Sequence, residues 1–112
     1  MATLDIGNHG EDLATNYLEQ RGFFIVARNW RTRWCEIDIV ARHEDCMFFI
    51  EVETRKNDHF GDGFDYITPK KLQQMRFSAK FWLGSHNWQG EVALAAISVT
   101  TSTGAIEFTV VQ

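Results

Sequence analysis

FFIEVETRK, residues 48–56, decides how this chain is read. Phe48, Phe49, Ile50 and Val52 form an apolar, strand-like run suited to a core. Glu51 and Glu53 interrupt it two residues apart, so an extended chain aims both carboxylates at the same face. The preceding run, CEIDIVAR (residues 35–42), repeats the pattern. Regular alternation there puts Glu36 and Asp38 on one face and Ile37 and Ile39 on the other. The connection between the two runs is short, as in a β-hairpin. A turn at Glu44 and Asp45 makes paired positions sum to 89, which opposes Asp38 to Glu51 and Glu36 to Glu53. Side chains opposed in this way sit about 4.5–5.5 Å apart at Cβ.

Four acids on one patch repel one another and weaken a sheet. Protonation, basic neighbours or a bound cation must offset the repulsion. A hard divalent ion such as Mg²⁺ suits carboxylate oxygens and keeps several waters. It can lower the pKa of a bound water and neutralise charge developing on a phosphate, the chemistry of phosphodiester hydrolysis. The competing reading is a solvated sheet face with basic side chains paired across strands. Matched alternation on two adjoining strands favours a site.

Outward from this hairpin, residues 8–21 read as a helix with Leu13, Ala14, Tyr17 and Leu18 on one stripe. Gly22 stops it, and Asn8 with Glu11 resembles a capping box. FFIVARNW (residues 23–30) reads as a first strand. Thr68 to Leu83 reads as a second helix: Thr68 is an N-cap, Pro69 suits the first turn, and Leu72, Met75, Ala79, Trp82 and Leu83 form the apolar stripe. Strands near Glu91–Thr100 and Ala105–Val111 follow. The order helix, three strands, helix, two strands predicts an α/β fold with a mixed sheet in a single domain, residues 1–112.

The 112 residues are 45% hydrophobic and 13% aromatic, too apolar for a disordered chain. No run approaches the roughly 20 apolar residues of a membrane span, and the N-terminus does not read as a signal peptide. Cys35 and Cys46 lack metal-type spacing and are expected as reduced thiols in a cytoplasmic protein. Eleven Lys and Arg against fifteen Asp and Glu give a net charge of −4, which argues against tight non-specific nucleic-acid binding. A local basic groove is still compatible, with Arg28, Arg31 and Arg33 clustered and Arg55 and Lys56 following the acidic strand. His9, His43, His59 and His86 show no ligand spacing and are expected at the surface. Residues 61–63, GDG, lack the lysine of a phosphate loop and read as a turn. Trp30 and Trp34, between arginines, are candidates for stacking on bases, whereas Trp82 reads as core.

GNHGEDLATNYLEQRGF (residues 7–23), NWRTRWCEIDIVAR (29–42), FFIEVETRK and ITPKK (67–71) together resemble the YraN-like family of the PD-(D/E)xK, restriction-endonuclease-like superfamily. The resemblance runs from about Gly7 to Leu83. It implies a restriction-endonuclease-like αβββαβ core with a five-stranded mixed sheet flanked by helices. It further implies a metal-dependent endonuclease-like protein that hydrolyses DNA phosphodiester bonds. The alternative is a catalytically inactive nuclease-fold module that binds nucleic acid or a protein partner.

By position, Asp38 and Glu51 match the acids that hold Mg²⁺ or Mn²⁺, with the backbone carbonyl of Val52. Glu11 matches the helix acid, Glu36 a neighbouring acid, and Lys71 a lysine able to approach a phosphate. Arg31, Arg33, Arg55 and Lys56 join Lys71 as expected nucleic-acid contacts. Enzymes of this kind often form homodimers to cut two strands, which the aromatics of this chain permit. Two departures stand out. Glu53 replaces the motif lysine, leaving a general base or ligand in its place. Ala93, Leu94 and Ala95 replace an Arg-Phe-Asp run.

Overall fold

The computed structural model describes residues 3–57 and 67–112, with side chains from residue 9 onward. The elements are α1 (Thr3–Gln20), β1 (Phe24–Arg31), β2 (Glu36–His43), β3 (Cys46–Arg55), α2 (Pro69–Gly84), β4 (Glu91–Thr100) and β5 (Ala105–Val110). They form the expected α/β architecture: one mixed five-stranded sheet in the order β1-β2-β3-β4-β5, antiparallel except for the parallel β3–β4 pair. The change of direction requires the crossover that α2 supplies.

Each face of the sheet is sealed by one helix. Ala14 and Leu18 of α1 pack with Ile39, Ala41, Ile50, Ala95, Ile97 and Val99. Met75, Ala79 and Trp82 of α2 pack with Ile37, Val40, Met47, Phe49 and Leu94. Phe49 meets Trp82 edge to face at 5.4 Å, so the expected core tryptophan is in the core. The interior strand β4 is buried from Ala93 to Thr100, as a strand covered on both faces must be.

Local chemistry explains the element ends. The Thr68 hydroxyl accepts from the Lys71 N–H and Pro69 occupies the first helical turn, so α2 begins as expected. The hairpin turns at Glu44, whose φ of 55° lies in the left-handed region, and His43 faces Cys46. The sum-89 register follows from that turn.

Two expectations fail here. Helix α1 begins at Thr3, so Asn8 lies inside it and does not cap it. Gly10 marks a close approach instead: a Cβ there would run into the Thr54 hydroxyl of β3. Moreover, Glu36 and Asp38 do not share a face of a regular strand. Ile37 packs under α2 while Ile39 packs under α1, on opposite sides of the sheet.

The switch occurs between the pairs Arg28↔Ile39 and Trp30↔Ile37, where Asn29 and Asp38 are skipped and Asn29 adopts a φ of 51°. Asn tolerates this conformation better than most residues. Both strands turn over at that point, which strict alternation cannot anticipate. On the other side, the β2–β3 pairing ends at Ile39↔Ile50. Asp38 and Glu51, Glu36 and Glu53, are therefore not ladder partners.

Candidate active site

The interruption of β2 is where the acids gather. A continued ladder would oppose Val52 to Ile37, but the Val52 N–H donates to the Asp38 carboxylate at 2.8 Å. The Asp38 side chain thus lies in the gap between β2 and β3 and replaces a backbone acceptor. Burial and the neighbouring charges of Glu51, Glu11 and Glu36 outweigh that hydrogen bond and push the Asp38 carboxyl up to about 7. Such a group is half ionised near neutrality.

Glu51 lies on the opposite face from Val52, the face covered by α2. Lys71, in the first turn of α2, reaches its carboxylate at 2.8 Å. Burial opposes the ammonium, yet the Glu51 hydrogen bond and the charges of Glu51, Asp38 and Glu36 raise the Lys71 pKa. One cation therefore serves three acids. This answers why an apolar strand carries Glu51: the residue meets a lysine delivered by the crossover helix.

From the other face, α1 presents Glu11. Its carboxylate accepts from the Asn29 side-chain amide at 2.9 Å, and Arg28 lies 3.5 Å from it and 2.8 Å from Asp12. Asn29 therefore ties the turned-over part of β1 to the helix acid beside Asp38. Position-by-position reading gives Asn29 no role. The available signal is the short polar residue in the middle of an otherwise strand-like run.

Other candidates stand apart. Glu36 is exposed, paired with Arg31 across β1–β2 at 3.7 Å, and feels Asp38 only through its charge. Glu53 shares the Glu51 face by alternation, is half-buried, and has no hydrogen bond or ion pair among the described residues. Arg33 lies 5.3 Å over the Trp34 ring. Lys56 is exposed, and Arg55 is half-buried with its carbonyl accepting from Thr101. His43 packs on Phe23 at 4.6 Å and is not a bare surface residue. Residues 61–63 and His59 lie outside the described residues.

A cavity of about 430 Å³ opens beside these groups, lined by Trp34, Glu36, Glu51, Lys71, Phe77 and Ser78 among others. Asp38 is not on its wall. Among the described residues, no group of three or more His, Cys, Asp or Glu side chains converges so as to hold a metal ion. Asp38 and Glu51 feel each other's charge, and both offer only oxygen atoms, the donor type that Mg²⁺ prefers. The raised Asp38 pKa comes first from burial and then from the neighbouring charge of Glu51.

No helix of the described residues is long and apolar enough to cross a membrane. A family model described as "Uncharacterised protein family UPF0102", the YraN family, matches residues 10–111. A UPF0102 protein of Cytophaga hutchinsonii is 36% identical, over 89% of this chain and 88% of that protein. A UPF0102 protein of Parafrankia sp. is 46% identical, over 72% of this chain and 69% of its own length. One from Acidothermus cellulolyticus is 38% identical, over 96% of this chain and 75% of that protein. With the family model and these relatives in agreement across most of its length, the chain belongs to the UPF0102 family.

Proposed function

We propose that the protein is a cytoplasmic, metal-dependent endonuclease of the restriction-endonuclease-like kind, hydrolysing phosphodiester bonds in DNA. One observation carries the reading: Asp38 is held in the gap between two strands by the Val52 N–H, beside Glu51, with its pKa raised to about 7. A carboxylate raised first by burial and then by the charge of Glu51 is poorly explained as a solvated surface acid, which supports reading it as half of a cation site.

Asp38, Glu51 and the Val52 carbonyl would hold the ion. Bound Mg²⁺ or Mn²⁺ would supply a water of lowered pKa and charge neutralisation at the phosphate. Lys71 must leave the Glu51 oxygen for Glu51 to act as a ligand. Its ammonium is then free to face the substrate phosphate, a role that suits the lysine which Glu53 replaces. Glu53, on the same face and without a partner among the described residues, is the carboxylate available to take the proton of the attacking water. Water oxygen bonds to phosphorus as the ester P–O bond breaks, and the leaving oxygen gains a proton from solvent. Glu11 is kept in orientation by Arg28 and Asn29 and adds negative charge next to Asp38.

The test is cleavage of labelled single-stranded, duplex and branched DNA with Mg²⁺ or Mn²⁺, against a chelator control. Asp38→Ala and Glu51→Ala should each lose activity. Cleavage surviving in the double variant overturns the assignment.

A second reading, an inactive nuclease-fold module that binds nucleic acid or protein, is favoured by Glu53 at the motif-lysine position. It predicts no turnover by the wild type and metal-dependent cleavage gained by Glu53→Lys.

A further inference from the structure

We infer that the cavity beside the carboxylates receives an unpaired nucleobase, which makes single-stranded or locally unpaired DNA the preferred substrate. The inference rests on the reading of this site as one that handles DNA.

Two large aromatic side chains are left in water at this cavity: Trp34 is 65% exposed and Phe77 52%. They reach it from different elements, Trp34 from the β1–β2 connection and Phe77 from α2. Each leans on Phe81, at 5.7 and 6.1 Å between ring centroids, and no ring contact joins Trp34 to Phe77 directly. Trp34 and Phe77 thus share Phe81 as a common neighbour and put one exposed ring from each element on the cavity wall. Exposed neighbouring aromatics at a concave site mark a binding surface. Aromatic faces accept any base by stacking.

Charge selects the occupant. A phosphate backbone binds mainly through basic residues. Here each described cation near the cavity already has a partner, Lys71 in Glu51 at 2.8 Å, Arg31 in Glu36 at 3.7 Å and Arg33 over Trp34, and only Lys71 is called on to exchange its partner for a phosphate. The whole chain carries a net charge of −4. Affinity must therefore draw heavily on a non-ionic term, and stacking provides one. The Glu36 carboxylate on the same wall can accept from an exocyclic base amine. Paired bases hide their faces in the duplex, so only an unpaired base can enter.

Binding of a short fluorescein-labelled, mixed-sequence single strand, and of the matching duplex, is measured by anisotropy in chelator so that no cleavage intervenes. The wild type should prefer the single strand. Trp34→Ala should weaken that binding between about five- and 150-fold, the span of one base–aromatic stack. Trp34→Phe should restore most of it. Trp34 is exposed, and unchanged circular dichroism checks that the variant folds. Equal affinity of Trp34→Ala and wild type, or equal binding of duplex and single strand, overturns the inference. So does a Trp34→Ala variant that binds normally but turns a dimer into a monomer on a sizing column, which would make this face a self-association surface. Asp38→Ala should lose cleavage while keeping single-strand affinity, so failure of the catalytic reading and failure of this one are separable.

Discussion

The Asp38→Asn substitution tests the electrostatic account of the site without altering its shape. The amide oxygen still accepts from the Val52 N–H, while the charge opposed by Glu51, Glu11 and Glu36 disappears. In the folded wild type this carboxyl holds its proton up to about pH 7, whereas in the unfolded chain it releases it near its ordinary value of 3.8. The folded state thus binds more protons between these limits, and its stability falls as pH rises through them. At about 1.4 kcal/mol per pH unit, the whole interval corresponds to about 4 kcal/mol as an upper limit. The substituted amide does not titrate and contributes no such slope. Urea unfolding in chelator should therefore show the variant gaining on the wild type from about pH 4, by up to about 4 kcal/mol, and levelling off above about pH 7. A stability difference that stays flat with pH, or that grows in favour of Asp, would refute the buried, crowded carboxylate.

Other consequences can be measured alongside. Lys71→Met removes the cation shared by Glu51, Asp38 and Glu36, so the proposed DNA cleavage should vanish and the Asp38 pKa, followed by carboxyl NMR, should rise further. Gly10→Ala should cost about 1–3 kcal/mol because its Cβ meets Thr54, and Thr54→Ala in the same chain should recover part of that loss in chemical denaturation. Phe49→Ala, at a fully packed position against Trp82, should lower stability by about 3–5 kcal/mol. Calorimetry should detect Mg²⁺ binding to the wild type and none to Asp38→Ala; heat of binding retained in the variant would place the ion elsewhere.

Much of this architecture can be read from residue patterns because its elements follow single periodicities. Thr68, Pro69 and the stripe from Leu72 to Trp82 specify α2 almost to the residue. The two runs flanking the tight turn give the sum-89 pairing. The start of α1 escapes the pattern because Asn8 has the chemistry of a cap, while the helix simply continues through it. The larger gap concerns the site. Asp38, Glu51, Glu11 and Lys71 are legible as chemistry-bearing, yet their arrangement depends on a reversal of the pleat at Asn29 and Asp38. Strict alternation assumes an unbroken strand, so it groups Glu36 with Asp38 and Ile37 with Ile39. The Lys71–Glu51 bond likewise joins a helix to a strand distant in the chain, a tertiary contact invisible to local pattern.

The spatial order of the strands repeats their order along the chain, and this shapes how the molecule assembles. Neighbouring strands meet through short connections, except β3 and β4, which are joined by the long excursion that includes α2. Closing that excursion carries the largest entropic penalty in the topology. The meander of β1 to β3 can organise quickly, whereas docking of β4 waits on loop closure. Small-to-large or large-to-small changes at Ala95 or Ile97 should therefore slow refolding more than equally destabilising changes in the meander.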